Sequence, residues 1–199
     1  SHSLDQFRVF GVQFKIGVIT NITHEHLQYH KDYDHYVQAK EKLLEWSEIG
    51  IINRDDKSFE LLNKLCTKKC VTYGMQNKAD YQFNISEKLQ LSLAEFNKYN
   101  YLAAYSVCNK LGLSDEAIFK AMKTYVLPPG RMEVIYNKDF KVIIDFAHTP
   151  NALHEALKAI RDQHKPKGRI IHIFGAAEFR DDSKRPFMGD ESASHADTT

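Results

Sequence analysis

Short runs rich in β-branched residues alternate with stretches of helical spacing in the N-terminal part of the chain, and few architectures accept that order. Lys15–Thr20 (KIGVIT) reads as a strand ending in the polar Asn21-Ile22-Thr23. A helix over Tyr33–Trp46 follows, with Tyr36, Ala39, Leu43 and Trp46 at near-helical spacing on a buried face. Ile49–Asn53 is a second buried-type strand, Ser58–Leu65 a helix, and Cys70–Tyr73 a third strand stopped by Gly74. Parallel neighbours need a long connection back to the same sheet edge, so this order predicts a parallel sheet with crossover helices.

Beyond it the pattern changes. Within Asp80–Leu93 two short alternating stretches, QFNIS and LQLSL, suggest a small hairpin. Helices are expected over Phe96–Leu111 and Ser114–Tyr125, with Gly112 in a C′ place and Ser114 in an N-cap place. Val126-Leu127-Pro128-Pro129-Gly130 is the best linker candidate. After it, Arg131–Tyr136 and Phe140–Asp145 read as strands, Thr149–His164 as a helix and Arg169–Gly175 (RIIHIFG) as a buried strand. The expected organisation is therefore two α/β domains, 1–127 and 128–199, the second with too few elements to close a doubly wound sheet.

Composition removes other classes. The 199 residues carry 43% hydrophobic and 27% charged side chains, close to the globular average, which excludes collagen, coiled coil and wholesale disorder. Lys and Arg total 27 against 26 Asp and Glu, so a nucleic-acid binder working through a basic face is not expected. No apolar run approaches the ~18–20 residues of a membrane span, and the start does not read as a signal peptide. Cys66, Cys70 and Cys108 lack CxxC spacing; a disulfide framework is not expected, and a reducing cytoplasm is the simplest setting. The chain starts on Ser1 without Met, which suggests trimmed ends or a piece of something longer.

Four segments could carry chemistry, each with a plainer alternative. His24, His26 and His30 lie close together, and His26 with His30 at i,i+4 would make a workable metal pair. HExxH is not met, because Gln28 stands at its second His, and polar surface histidines are the simpler reading. Asp145-Phe146-Ala147-His148-Thr149-Pro150 lies where a strand gives way to a helix, the place where open α/β sheets bind ligands. The same residues could merely cap the helix, with Pro150 at N1. Gly175–Pro186 holds three cations within six residues (Arg180, Lys184, Arg185), suited to phosphate or to a solvated loop. Asn97 and Asn100 open a helix three apart and could bind a nucleobase edge or act as caps. No GxxxxGK[ST], GxGxxG or GxSxG occurs in these residues.

Taken in order, the segments resemble the Mur ligase family, most closely its branch that adds the third residue of the peptidoglycan stem peptide. Ser1-His2-Ser3-Leu4-Asp5-Gln6-Phe7-Arg8-Val9 is similar to SSHxLxQxRV, and Thr20-Asn21-Ile22-Thr23 through His26-Leu27 and Tyr29-His30 to TN(I/L)TxxHLDYHG. Ala39-Lys40 with Leu43 resembles AKxxL, Ile52-Asn53 with Asp55-Asp56 resembles INxDD, and Phe96-Asn97 through Asn100 to Ala104 resembles FNxxNxLAA. Pro129-Gly130-Arg131-Met132-Glu133 matches PGRME, Asp145–Pro150 resembles DYAHTP, and Lys184-Arg185-Pro186 with Met188-Gly189 matches KRPxMG.

The resemblance implies an α/β fold: part of a P-loop-type central ATPase domain with a mostly parallel sheet, then a partial Rossmann-like ligase domain. It implies an ATP- and Mg²⁺-dependent amide ligase that joins an amino acid to a UDP-MurNAc-dipeptide through an acyl phosphate. Catalytic roles would fall to Lys40, Asp145, His148 and Lys184. Lys40 would be a carbamylated lysine, the added CO₂ turning a cation into an anionic oxygen ligand for Mg²⁺, with His26 as companion ligand. Asn97, Asn100, Arg131 and Asn21 would bind ATP, and Gln6, Arg8 and His2 the nucleotide-linked substrate. Several family features are not among these residues: the GTxGKT phosphate loop, the UDP-binding domain and the DNPR motif. The stretch before Phe96 is short, and AAEFRDD stands where Gly-rich CGGDRD is usual. The chain alone is accordingly expected to be inactive, the missing part of the same enzyme being its partner. A non-catalytic nucleotide- or protein-binding module is an alternative, as is a cyanophycin- or folylpolyglutamate-type ligase.

Overall fold

A computed structural model describes residues 2–23, 32–66, 69–91, 93–164, 168–176 and 182–199. The chain divides into two compact units, Ser1–Lys123 and Thr124–Thr199.

In unit 1, α1 (His2–Asp5) precedes β1 (Phe14–Ile19), α2 (Tyr33–Glu45), β2 (Ser47–Asn53), α3 (Phe59–Leu65) and β3 (Cys70–Tyr73). The three strands form a parallel sheet in the order β1-β2-β3, with Val18 opposite Ile51 and Ile51 opposite Val71. Successive strand residues face opposite ways, so the neighbours Ile51 and Ile52, both fully buried, belong to different layers. Ile52 packs with Tyr36, Val37 and Leu44 of α2 and with Phe59 and Leu62 of α3. Ile51 packs with α4 (Ile85–Leu89), α5 (Glu95–Lys110) and α6 (Asp115–Thr124), through Ile85, Leu102 and Ile118 among others. A sheet covered on both faces explains why its strands read as continuous apolar runs. Close packing of α2 on the sheet requires Gly17: a Cβ there would come within 2.9 Å of the Leu43 carbonyl oxygen.

Unit 2 is built differently. β4 (Glu133–Asn137) and β5 (Lys141–Ile144) form an antiparallel hairpin, followed by α7 (Pro150–His164). A short 3₁₀ turn, η1 (Asp182–Lys184), leads into α8 (Arg185–His195), which packs against α7. Thr149 Oγ1 accepts the Ala152 N–H at 3.2 Å, so Thr149 caps α7 and Pro150 enters its first turn.

Three expectations are corrected. Asp80–Leu93 holds the helix α4 instead of a hairpin: Asn84 caps it by accepting the Ser86 N–H at 3.2 Å, and Gln90 ends it at φ 57°. Ile85 and Leu89, four apart, are both buried, so helical spacing prevails over the short alternation. Arg169–Gly175 is not a buried strand. Its β-bridge joins Ile171 to Thr198, and Ile171 and Ile173 are 69% and 91% exposed, because β-branched residues form a strand only beside a partner that takes up their backbone groups. Finally, Cys66 and Cys70 are disulfide-bonded and Cys108 is free. The paired Cα atoms lie 6.5 Å apart, a proximity that counting cysteines does not reveal.

Candidate functional site

The carboxyl ends of the parallel strands are the natural place for a ligand in unit 1, and polar residues gather there. Asn53 at the end of β2 donates its Nδ2–H to the Thr20 carbonyl at 3.0 Å, tying the end of β1 to β2. The Tyr73 hydroxyl, from β3, donates to the same carbonyl at 3.4 Å. Asp56 Oδ1 accepts the Ile22 N–H at 3.2 Å and the Ser58 N–H at 3.0 Å, and also binds the Ser58 hydroxyl. Asn21 is exposed within this bound loop.

Asp55 is the hub of the loop after β3. Its carboxylate accepts the backbone N–H groups of Met75, Gln76 and Asn77 at 2.6–2.9 Å, and the Asn77 Nδ2–H at 2.9 Å. The Tyr99 hydroxyl of α5 donates to it at 3.0 Å. Partial burial pushes this carboxyl upward, but the N–H donors of Gln76, Met75 and Asn77 together hold it below its ordinary value. Tyr99 is displaced the other way: burial, then its bond to Asp55, favours the protonated phenol. Sequence reasoning quoted Asp55 and Asp56 only as part of a motif and gave them no role. Their signal was two adjacent carboxylates directly after a buried strand.

Lys40 lies half-buried on α2, one turn after Tyr36, with its Nζ 5.1 Å from that ring's centroid. Asn97 is on α5, 8% exposed. It is not a cap, since the N-cap of α5 is Ala94, which makes no side-chain cap bond. The exposed Asn100 donates a long 3.4 Å bond to Asn97 Oδ1, which confirms that the two share a face. A buried, non-capping asparagine beside a second one offers the donor-and-acceptor pair that a nucleobase edge requires. Gln6 and Arg8 are exposed in the turn after α1, where the Arg8 N–H bonds the Ser3 carbonyl at 2.9 Å, and His2 begins α1. His24, His26 and His30, like Arg180, lie outside the described residues.

Unit 2 brings three of its candidates together. Asp145, just past β5, accepts the Met132 N–H and the Ala147 N–H, both at 2.8 Å, and so joins the PGRM turn to the DFAHTP turn. The Arg131 guanidinium lies 4.8 Å from the Phe146 ring centroid, and Phe146 meets the His148 ring edge-on at 5.0 Å. His148 Nδ1 is 2.9 Å from the Phe146 carbonyl oxygen, which fixes the ring and leaves it exposed. Lys184 stands on a separate element, at the end of η1. Beside Asp145, a cleft of about 310 Å³ opens between β5, α7 and segment 171–175, lined by Ile143, Leu153, Leu157, His172 and Phe174. Burial holds His172 below the ordinary histidine range, and its Nδ1 is 2.7 Å from Ser192 Oγ.

Two turns with polar side chains at strand ends, one per unit, belong to an α/β protein, and comparison with known proteins gives the class a name. Residues 1–108 match the Mur ligase middle domain and residues 130–199 the Mur ligase glutamate ligase domain. The chain belongs to the Mur ligase family. It is 36% identical over 211 aligned positions to a UDP-N-acetylmuramoyl-L-alanyl-D-glutamate–2,6-diaminopimelate ligase of Clostridium acetobutylicum, covering 96% of this chain and 43% of that one. The corresponding ligase of Parabacteroides distasonis is 34% identical, with 99% and 44% covered. A solved structure of such a diaminopimelate ligase superposes with a TM-score of 0.65 at 28% identity, covering 98% of this chain and 45% of that one. MurF from Acinetobacter baumannii shares the fold, with a TM-score of 0.76 at 18% identity over 92% of this chain and 44% of its own. The chain thus spans less than half the length of the curated relatives it matches.

Proposed function

We propose that these residues are the middle and C-terminal part of an ATP-dependent ligase that joins an amino acid to UDP-MurNAc-L-Ala-D-Glu. The observation that carries this reading is the family match across both units, together with 36% identity to a diaminopimelate ligase. Diaminopimelate, which the relatives' names specify, is accordingly the amino acid to test first. A cytoplasmic setting belongs to the same proposal; no helix among the described residues is long and apolar enough to cross a membrane.

The residues divide the work by their chemistry. Asn97 and Asn100 offer amide donors and acceptors to the adenine, and Arg131 a guanidinium to the ribose end. Lys40, as a carbamate, would hold Mg²⁺ together with His26. That modification requires the amine to give up its proton before it captures CO₂. Bound Mg²⁺ supplies charge neutralisation on the phosphates. Asp145 positions the turn that presents His148, and Lys184 contributes a point charge toward phosphate or acyl phosphate. Gln6, Arg8 and His2 hold the nucleotide-linked substrate, Arg8 by charge-assisted bonds to an acidic group.

The test is ligation by the full enzyme that contains these residues, with ATP, UDP-MurNAc-L-Ala-D-Glu and diaminopimelate. Lys40→Ala is expected to lower kcat by roughly 10²–10³-fold, the scale of losing one preorganised electrostatic group, with the melting temperature unchanged. A wild-type rate in that variant would remove the carbamate role. ATP hydrolysis at ligase rates by the 199-residue chain alone would show that it needs no phosphate loop from elsewhere.

A further inference from the structure

The α7–α8 contact in unit 2 contains a side-chain cluster that the proposed ligase chemistry does not use. His154 projects from α7, while Glu191 and His195, four residues apart, occupy one face of α8. His154 Nδ1 lies 2.9 Å from Glu191 Oε2 and 3.2 Å from His195 Nε2, and the latter two atoms are 3.7 Å apart. All three side chains are half-buried, and the two rings meet edge-on, 4.9 Å between centroids, so their nitrogens converge.

We propose that His154, Glu191 and His195 form a binding site for a divalent transition metal of the Zn²⁺ class. The argument is geometric first. Ligands about 2.05 Å from a tetrahedral zinc lie ~3.3 Å from one another, in the middle of the three observed separations. The circle through the three atoms has a radius of about 1.9 Å, so an ion ~0.7 Å above their plane is at bonding distance from all of them.

The protons lead to the same place. A neutral imidazole has one N–H, and His154 Nδ1 faces both a carboxylate oxygen and another ring nitrogen. One proton there serves one of them well, whereas a cation satisfies three lone pairs at once. Two imidazoles and one carboxylate select zinc, cobalt, nickel or copper over Mg²⁺ or Ca²⁺, which prefer all-oxygen shells. The fourth position stays open to water. The anchoring is firm: Arg161 of α7 donates from Nε to the His195 carbonyl at 2.9 Å and pairs with Asp197 at 2.8 Å. A bound ion would therefore pin α8 to α7.

Zn²⁺ titration by calorimetry, and Co²⁺ titration followed by its visible absorption, test this on the purified 199-residue chain without nucleotide or reductant. Expected are one equivalent of Zn²⁺, a tetrahedral Co²⁺ spectrum, and a raised melting temperature that millimolar Mg²⁺ does not reproduce. Glu191→Gln, nearly isosteric, and His195→Ala should each weaken Zn²⁺ at least about tenfold, since even residues behind the ligands cost that much. The His26→Ala/His30→Ala double variant and Cys108→Ser should bind like wild type. Circular dichroism checks the fold of each variant, and His154→Gln replaces any that fails. Absence of stoichiometric Zn²⁺, or affinity kept in Glu191→Gln and lost in the His26/His30 variant, overturns the site.

Discussion

Units 1 and 2 both contain short β-branched runs, and those runs meet opposite fates. In unit 1, Ile51 and Ile52 are fully buried between helical layers on the two faces of a parallel sheet. In unit 2, Ile135 is 54%, Ile171 69% and Ile173 91% exposed, although RIIHIFG reads as apolar as SEIGIIN. The lesson is that an apolar run states what a segment can bury, whereas the elements around it decide whether anything covers it. Unit 1 supplies two layers for its sheet; unit 2 supplies α7 and α8, whose Leu153, Leu157 and Met188 are buried while much of the strand surface is not.

The sharpest break of this comparison is a paired truncation. Ile51→Ala should cost about 2–5 kcal/mol in urea unfolding, the range for a large buried aliphatic, while Ile173→Ala should stay within ~0.5 kcal/mol. Equal losses would mean that segment 171–175 is packed in solution. Next in size is Asp55→Asn. It replaces a carboxylate that accepts five hydrogen bonds with an amide that sets N–H groups against N–H donors, at about 1–3 kcal/mol. Thr149→Ala removes the cap of α7 and should cost about 1 kcal/mol.

The smallest effects are in pH, and they separate the units. Asp55 is held below its ordinary value of 3.8, so its contribution is complete above that pH and is lost as pH falls from there through the folded value. His172 is held below 6.5 by burial, so the unfolded chain takes up its proton first and unit 2 weakens as pH falls below 6.5. Acid titration with probes in each unit should show unit 2 responding first, in the histidine range. His172→Gln should erase that early step, and Asp55→Asn should shrink the later one, leaving the part that Asp80, also held low, contributes.

Local signals were legible wherever one residue's immediate neighbours decide the outcome. The strand–helix–strand order, the Gly112 turn at φ 88° and the Thr149 cap follow from periodicity and from short-range hydrogen-bond chemistry. Motif residues were legible as a family pattern, and the family match bears out that pattern. Legibility stopped where the partner is remote. The local pattern places Asp55 after a buried strand but does not say what it binds, because its donors come from residues 75–77 and from Tyr99.

By itself, then, the sequence determined a parallel α/β arrangement in unit 1, the family and the spans of most helices. Hydrophobic period and capping are properties of a few consecutive residues, so they survive reading in one dimension. Only the tertiary structure decided that Asp80–Leu93 holds a helix, that Cys66 meets Cys70, and that Ile173 stays exposed. It also brought His154 within 2.9 Å of Glu191, 37 residues away. Each of these depends on which surfaces the rest of the chain brings alongside, and packing sets that across sequence distances no local pattern encodes.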